Sequence, residues 1–154
     1  MEILNQGNFS MNVVNYETIF KERGKMAELW DVLDERGNKT GRLHERGKPM
    51  QQGEFHLVVH VWIIDKNNEF LIQKRTGGKW ETTGGAAIAG EDSISAALRE
   101  ANEELGVDLT PKNGQLFKQY SRPHTNDAGN FLINVWIFRQ EIELSAVVFQ
   151  LDET

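Results

Sequence analysis

A chain of 154 residues, 39% hydrophobic and 26% charged, is sized for one domain around one core. Its net charge of −6 disfavours a nucleic-acid duplex or an anionic membrane surface as partner. The lack of cysteine excludes disulfides, thiolate zinc sites and cysteine nucleophiles; no basic-then-apolar leader is visible, so the expected compartment is the cytoplasm.

In chain order, residues 1–25 read as an N-terminal surface segment or an oligomer contact, with a short helix over 16–23. Residues 26–154 read as a single domain. Residues 28–33 (ELWDVL) alternate as a strand, 34–38 (DERGN) make a turn, and 39–44 return as a second strand. Arg42, Arg46 and Lys48 lie within reach of a substrate, though solvation is their plainer role. Residues 55–64 (FHLVVHVWII) carry the near-continuous apolar run of a central strand. His56 and His60 share one face of it with Val58 and Trp62 and read as packed histidines. A turn over 65–68 leads to a partner strand over 69–74, which ends in Lys74 and Arg75. The loop 75–79 precedes Trp80, and a short strand over 81–83 enters a glycine turn at Gly84 and Gly85. Lys74, Arg75 and Trp80 are candidate substrate-binding residues, Trp80 by stacking on a base, although packing against the sheet is the plainer role for Trp80 and surface charge is an equal reading of Lys74 and Arg75.

Residues 85–107 (GAAIAGEDSISAALREANEELGV) are the informative stretch. Asp92 is a good helix N-cap, Ala97, Leu98, Ala101 and Leu105 form an apolar stripe, and Gly106 is placed for a left-handed C-cap. Glu100, Glu103 and Glu104 stand at i, i+3 and i+4, so their Cβ atoms lie about 5–6 Å apart. Three carboxylates this close repel one another, and a hard divalent cation such as Mg²⁺ is the simplest means of keeping them together. Arg99, four residues before Glu103, is placed to hold it by a charge-assisted hydrogen bond. A run of glutamates alone is more often a solvated helix face.

The same stretch matches the Nudix box, G-x5-E-x7-R-E-U-x-E-E-x-G-U with U apolar, through Gly85, Glu91, Arg99, Glu100, Ala101, Glu103, Glu104, Gly106 and Val107. The chain therefore resembles the Nudix hydrolase family. The resemblance implies an α+β fold, an α/β/α sandwich around a central mixed sheet, here preceded by an N-terminal β-hairpin. It implies Mg²⁺-dependent hydrolysis of a diphosphate linkage, in a nucleoside diphosphate linked to another moiety or a related organic pyrophosphate, with Mn²⁺ able to substitute. By that resemblance Glu100, Glu103 and Glu104 ligate the metal, helped by Glu91 and the carbonyl at Gly84 or Gly85. Glu100 or Glu103 acts as base, and Arg99 orients the glutamates. A further base or ligand from outside the box has Asp127, Glu141, Glu143 and Glu153 as candidates, Glu153 first. His44 and His124 carry no signal.

Family members usually carry another helix after the last strands, and this chain stops where that helix would begin. Either the C-terminal helix is missing from this sequence, or the N-terminal segment or a second subunit, in a homodimer, is expected to cover that face of the sheet. Residues 108–114 read as a loop, 115–121 and 130–141 as strands joined by a polar loop over 122–129, and 147–151 as a short extended piece. Residues 28–47 and 55–63 also resemble the entry to the isopentenyl-diphosphate isomerases. The isomerases use a catalytic cysteine, which this chain lacks, and a histidine where this chain has Ala86. A non-catalytic nucleotide-binding Nudix module is the other alternative, although such modules usually lose box acids that are all present here.

Overall fold

Ten successive residues rich in β-branched and aromatic side chains have little choice but to pair as strand on both edges, and they form the axis of the fold. The computed structural model describes residues 27–75, 77–123 and 129–148, together with the backbone of 2–6 and 9–15. The expected helix over 16–23, and His124, Asp127 and Glu153, lie outside the described residues.

The elements are β1 (Glu2–Gln6), β2 (Phe9–Asn15), β3 (Leu29–Leu33), β4 (Lys39–Glu45), β5 (Phe55–Ile64), β6 (Phe70–Lys74), β7 (Trp80–Glu81), β8 (Thr83–Ala86), α1 (Ser93–Leu105), β9 (Gly114–Arg122) and β10 (Asn130–Arg139). The described strands form one mixed sheet, ordered β1-β2-β6-β5-β10-β9. β10 runs parallel to β5 over the whole of both strands, from Asn130 opposite Phe55 to Arg139 opposite Ile64. The other edge of β5 is shared in turn by β3 at Phe55, β8 at Val58 to Val61, and β6 at Ile63 and Ile64. Residues 2–15, read from sequence as part of a surface segment, contribute two strands, and β2 lies parallel to β6.

α1 lies on one face of this sheet. Val59, Val61 and Ile63 of β5, with Leu71 and Phe138, meet Ala96, Ala97, Ala101 and Leu105 of the helix. All three alanines are fully buried, and their small side chains let the helix come close to the strands. The class is α+β, and among the described residues α1 is the single α-helix. The opposite face, with Val58, His60 and Trp62 partly exposed, carries no helix from the described residues.

One local expectation is corrected. Gly84 and Gly85 are not a turn; they lie within β8, paired with His60 and Val59. Gly84 has φ 154°, and a Cβ there would sit 2.1 Å from the carbonyl oxygen of Val59, so its glycine serves close strand packing. The turn comes later, at Ala89 and Gly90, where Gly90 has φ 89°. Ahead of the expected extended piece over 147–151 the chain makes a 3-10 turn at Leu144–Ala146; Val147 is extended, and 149–151 lie outside the described residues. The chain bonds back to the helix end through Val148 N–H to Leu105 C=O at 3.0 Å.

Candidate active site

The box helix begins and ends as its sequence dictates. Asp92 accepts the backbone N–H of Ser95 at 2.8 Å, and Gly106 adopts φ 64°, its N–H capping the carbonyls of Ala101 and Asn102. The helix start is also fixed to the sheet. Ser93 Oγ accepts from Asn134 Nδ2 and from Trp136 Nε1, each at 2.7 Å. Its orientation over β5, β8 and β10 is thereby set, and one side of the helix is directed at β8.

Arg99 stands at the middle of the acids. Its Nε and Nη2 form a bidentate pair with Glu91, at 2.7 and 3.0 Å. Nη1 donates to Glu100 at 2.8 Å and to Glu103 at 2.9 Å, and Nη2 also reaches the carbonyl of Ala86 at 2.9 Å. Glu91 in turn accepts the N–H of Ile88, 2.9 Å away. Burial opposes the charge on Arg99, but the hydrogen bonds and charges of Glu91 and Glu100 outweigh it and raise its pKa. Glu100, 9% exposed, has its pKa raised by burial against the opposing pull of Arg99. Its carboxylate fills the space beside Gly85, where an added Cβ would lie 2.5 Å from Oε1. Glu103 is the open member of the set, with 44% of its side chain exposed.

Glu104 is held from the sheet and not by Arg99. Thr83 Oγ1 hydrogen-bonds to its Oε2, which also accepts Gln73 Nε2 at 3.0 Å and Gly84 N–H at 3.2 Å. Burial pushes its pKa up to about 7, the three donors opposing the rise.

Glu100 lies beside Gly85 and Glu104 beside Gly84, and with Glu91 and Glu103 they offer oxygen donors of the kind that suits a hard divalent cation. The glycine at 85 leaves room beside Glu100 that a side chain would fill. Among the described residues no three acidic or histidine side chains are already spaced to hold one metal ion. Arg99 instead draws Glu91, Glu100 and Glu103 towards itself.

The other candidates are dispersed. Lys74 Nζ lies 4.9 Å from the centre of the Trp80 ring, and strand alternation directs Lys74 away from Gln73, the residue that reaches Glu104. Arg75 is paired with Glu81 at 2.6 Å, and Glu81 is the register partner of Gln73. Glu141 accepts the N–H of Lys66 at 2.6 Å, at the far end of β5, and Glu143 is exposed before the 3-10 turn. Arg42, Arg46 and Lys48 pair with Glu54, Glu28 and Glu45. His56 is 3% exposed and stacks on Trp30 with ring centres 4.1 Å apart. His60 has its pKa lowered by burial and by the charge of Arg122.

Residues with no motif signal also shape the site. Besides Gln73 and Thr83, Glu28 contributes negative charge that helps raise the pKa of Glu100, and is itself held by Trp30 Nε1 at 2.7 Å and Arg46 at 3.0 Å. Asp31 accepts the N–H of Gly90 at 2.8 Å, fastening the turn before Glu91 to the β3–β4 hairpin. Only tertiary pairing brings these residues to the box.

A family model described as the NUDIX domain matches residues 54–151. A Nudix hydrolase of Listeria innocua is 35% identical over 133 residues, 82% of this chain and 75% of the relative. An isopentenyl-diphosphate Delta-isomerase of Streptomyces avermitilis is 31% identical, over 53% of this chain and 45% of its own length. In fold, a Deinococcus radiodurans protein of known crystal structure superposes with a TM-score of 0.60 at 23% identity, covering 80% of this chain and 76% of that one. The complete box on a capped helix, the mixed sheet beneath it and these matches lead to one assignment: the chain belongs to the Nudix hydrolases, pyrophosphohydrolases that generally use divalent metal ions.

Proposed function

We propose that this Nudix hydrolase is Mg²⁺-dependent, with Mn²⁺ able to substitute. Its substrate is a nucleoside diphosphate linked to another moiety, or a related organic pyrophosphate, and it cleaves the diphosphate linkage. The observation that carries the reading is the single guanidinium of Arg99 gathering Glu91, Glu100 and Glu103. Glu91, Glu100, Glu103 and Glu104, with backbone oxygen at Gly85, would hold the cation. Bound there, it supplies positive charge to the diphosphate oxygens and acidifies the attacking water. Glu103, the most exposed of the acids gathered by Arg99, is best placed to accept the proton of that water, with Glu100 as the alternative. Arg99 keeps the acids aimed at the cation; of the three substrate-binding candidates only Arg75, paired with Glu81 on the Gln73 side of the strands, would face the rest of the substrate, and Lys74 and Trp80 face away.

We further propose that residues 26–154 act as one catalytic domain, that the protein works in the cytoplasm, and that a homodimer covers the second sheet face. The test is Mg²⁺-dependent release of nucleoside monophosphate or phosphate from a panel of nucleotide sugars, dinucleoside polyphosphates, nucleoside triphosphates and prenyl diphosphates. Glu103→Gln is expected to lower kcat by about 100- to 10,000-fold, the range for a proton-transferring group. No turnover with Mg²⁺ binding intact would make the chain a binding module. Conversion of isopentenyl diphosphate without hydrolysis would make it an isomerase.

A further inference from the structure

Gln73 and Thr83 are each 3% exposed, in a part of the sheet otherwise lined by Leu71, Ile72 and Val61. A buried amide or hydroxyl is a liability unless it has a partner. Each has the same one: Gln73 Nε2 and Thr83 Oγ1 both donate to Oε2 of Glu104, as does Gly84 N–H. No described residue donates to Oε1. Three donors from β6 and β8 therefore converge on one oxygen and leave the other available.

We propose that Thr83 and Gln73 are positioning residues for the metal site: they immobilise Oε2 of Glu104 so that Oε1 is presented to the divalent cation. This rests on the reading that the box glutamates hold such a cation. Glu104 has three side-chain torsions, and without the donors it must be ordered by the cation itself. Partners one step removed from a ligand typically change metal affinity 10- to 100-fold.

The experiment is Mn²⁺ titration of the full chain by electron paramagnetic resonance, with each variant's thermal midpoint measured in EDTA. Thr83→Val and Gln73→Leu are expected to weaken Mn²⁺ binding about 10- to 100-fold, while Thr83→Ser, which keeps the hydroxyl, stays within about threefold of the unmodified chain. The same two variants should need more Mg²⁺ for half-maximal rate and recover kcat at saturation. A packing role alone would lower the midpoint in EDTA and leave Mn²⁺ affinity unchanged, and that result overturns the proposal. Should Thr83→Val fail to fold, Gln73→Leu alone decides it. If the unmodified chain binds no Mn²⁺, this proposal and the metal reading fall together. If it binds and turns over while both variants bind equally well, only the positioning role falls.

Discussion

Glu104 is a carboxyl group whose environment works against its charge, and pH should expose the conflict. Its pKa in the folded chain, about 7, is raised above the ordinary carboxyl value of 4.5. Between those values the folded state binds the extra proton. The resulting stabilisation is complete below about pH 4.5 and is lost as pH rises through 7. In EDTA, urea unfolding should therefore show a gain on the order of 1–3 kcal/mol from this group between pH 8 and pH 5. Glu104→Gln should remove most of that slope. Metal affinity should run the opposite way, strengthening as pH rises through 7, since a ligand must shed its proton first. At Gly85 steric contact is decisive. A Cβ there would meet the Glu100 carboxylate at 2.5 to 2.8 Å. Gly85→Ala should cost about 1–3 kcal/mol in thermal unfolding and displace Glu100 from Arg99. A variant of unchanged stability and Mn²⁺ affinity would contradict that geometry.

At the scale of elements, α1 was legible and β8 was not, for physical reasons. The helix advertises itself locally, through an N-cap aspartate, a 3.6-residue apolar stripe and a C-cap glycine, and the structure uses all three. Gly84 and Gly85 advertise a turn just as locally, but Gly84 serves the close approach of Val59, set by strand register far away in sequence, and Gly85 makes room for the Glu100 carboxylate. The same holds for Gln73 and Thr83, ordinary strand residues until pairing places them under Glu104. β1 and β2 had no strong alternation to announce them. Where the helix meets the sheet, Ala101 is fully buried. Ala101→Leu should cost at least about 1–3 kcal/mol of stability by chemical denaturation, since a larger side chain must lift the helix from β5. Little loss would mean that this interface can yield.

For the whole molecule the acidic site should appear as a stability linked to metal. A cation that binds only the folded chain, supplied at 100 times its dissociation constant, adds about 2.7 kcal/mol. Millimolar Mg²⁺ should therefore raise the thermal midpoint by several degrees, EDTA should reverse it, and Glu103→Gln should blunt it. An unchanged midpoint across that titration would argue against the cation.

The anchoring of the helix start on β10 has a further consequence, in time. Asn134 and Trp136, which hold Ser93, follow it by 41 and 43 residues, and β10 is also the parallel neighbour of β5. A chain emerging from the ribosome exposes all of its box glutamates well before the strand that steadies them. Parallel pairing over such a separation forms slowly. The acidic motif is thus translated early and becomes a rigid site late, so competence for catalysis should arrive only with β10.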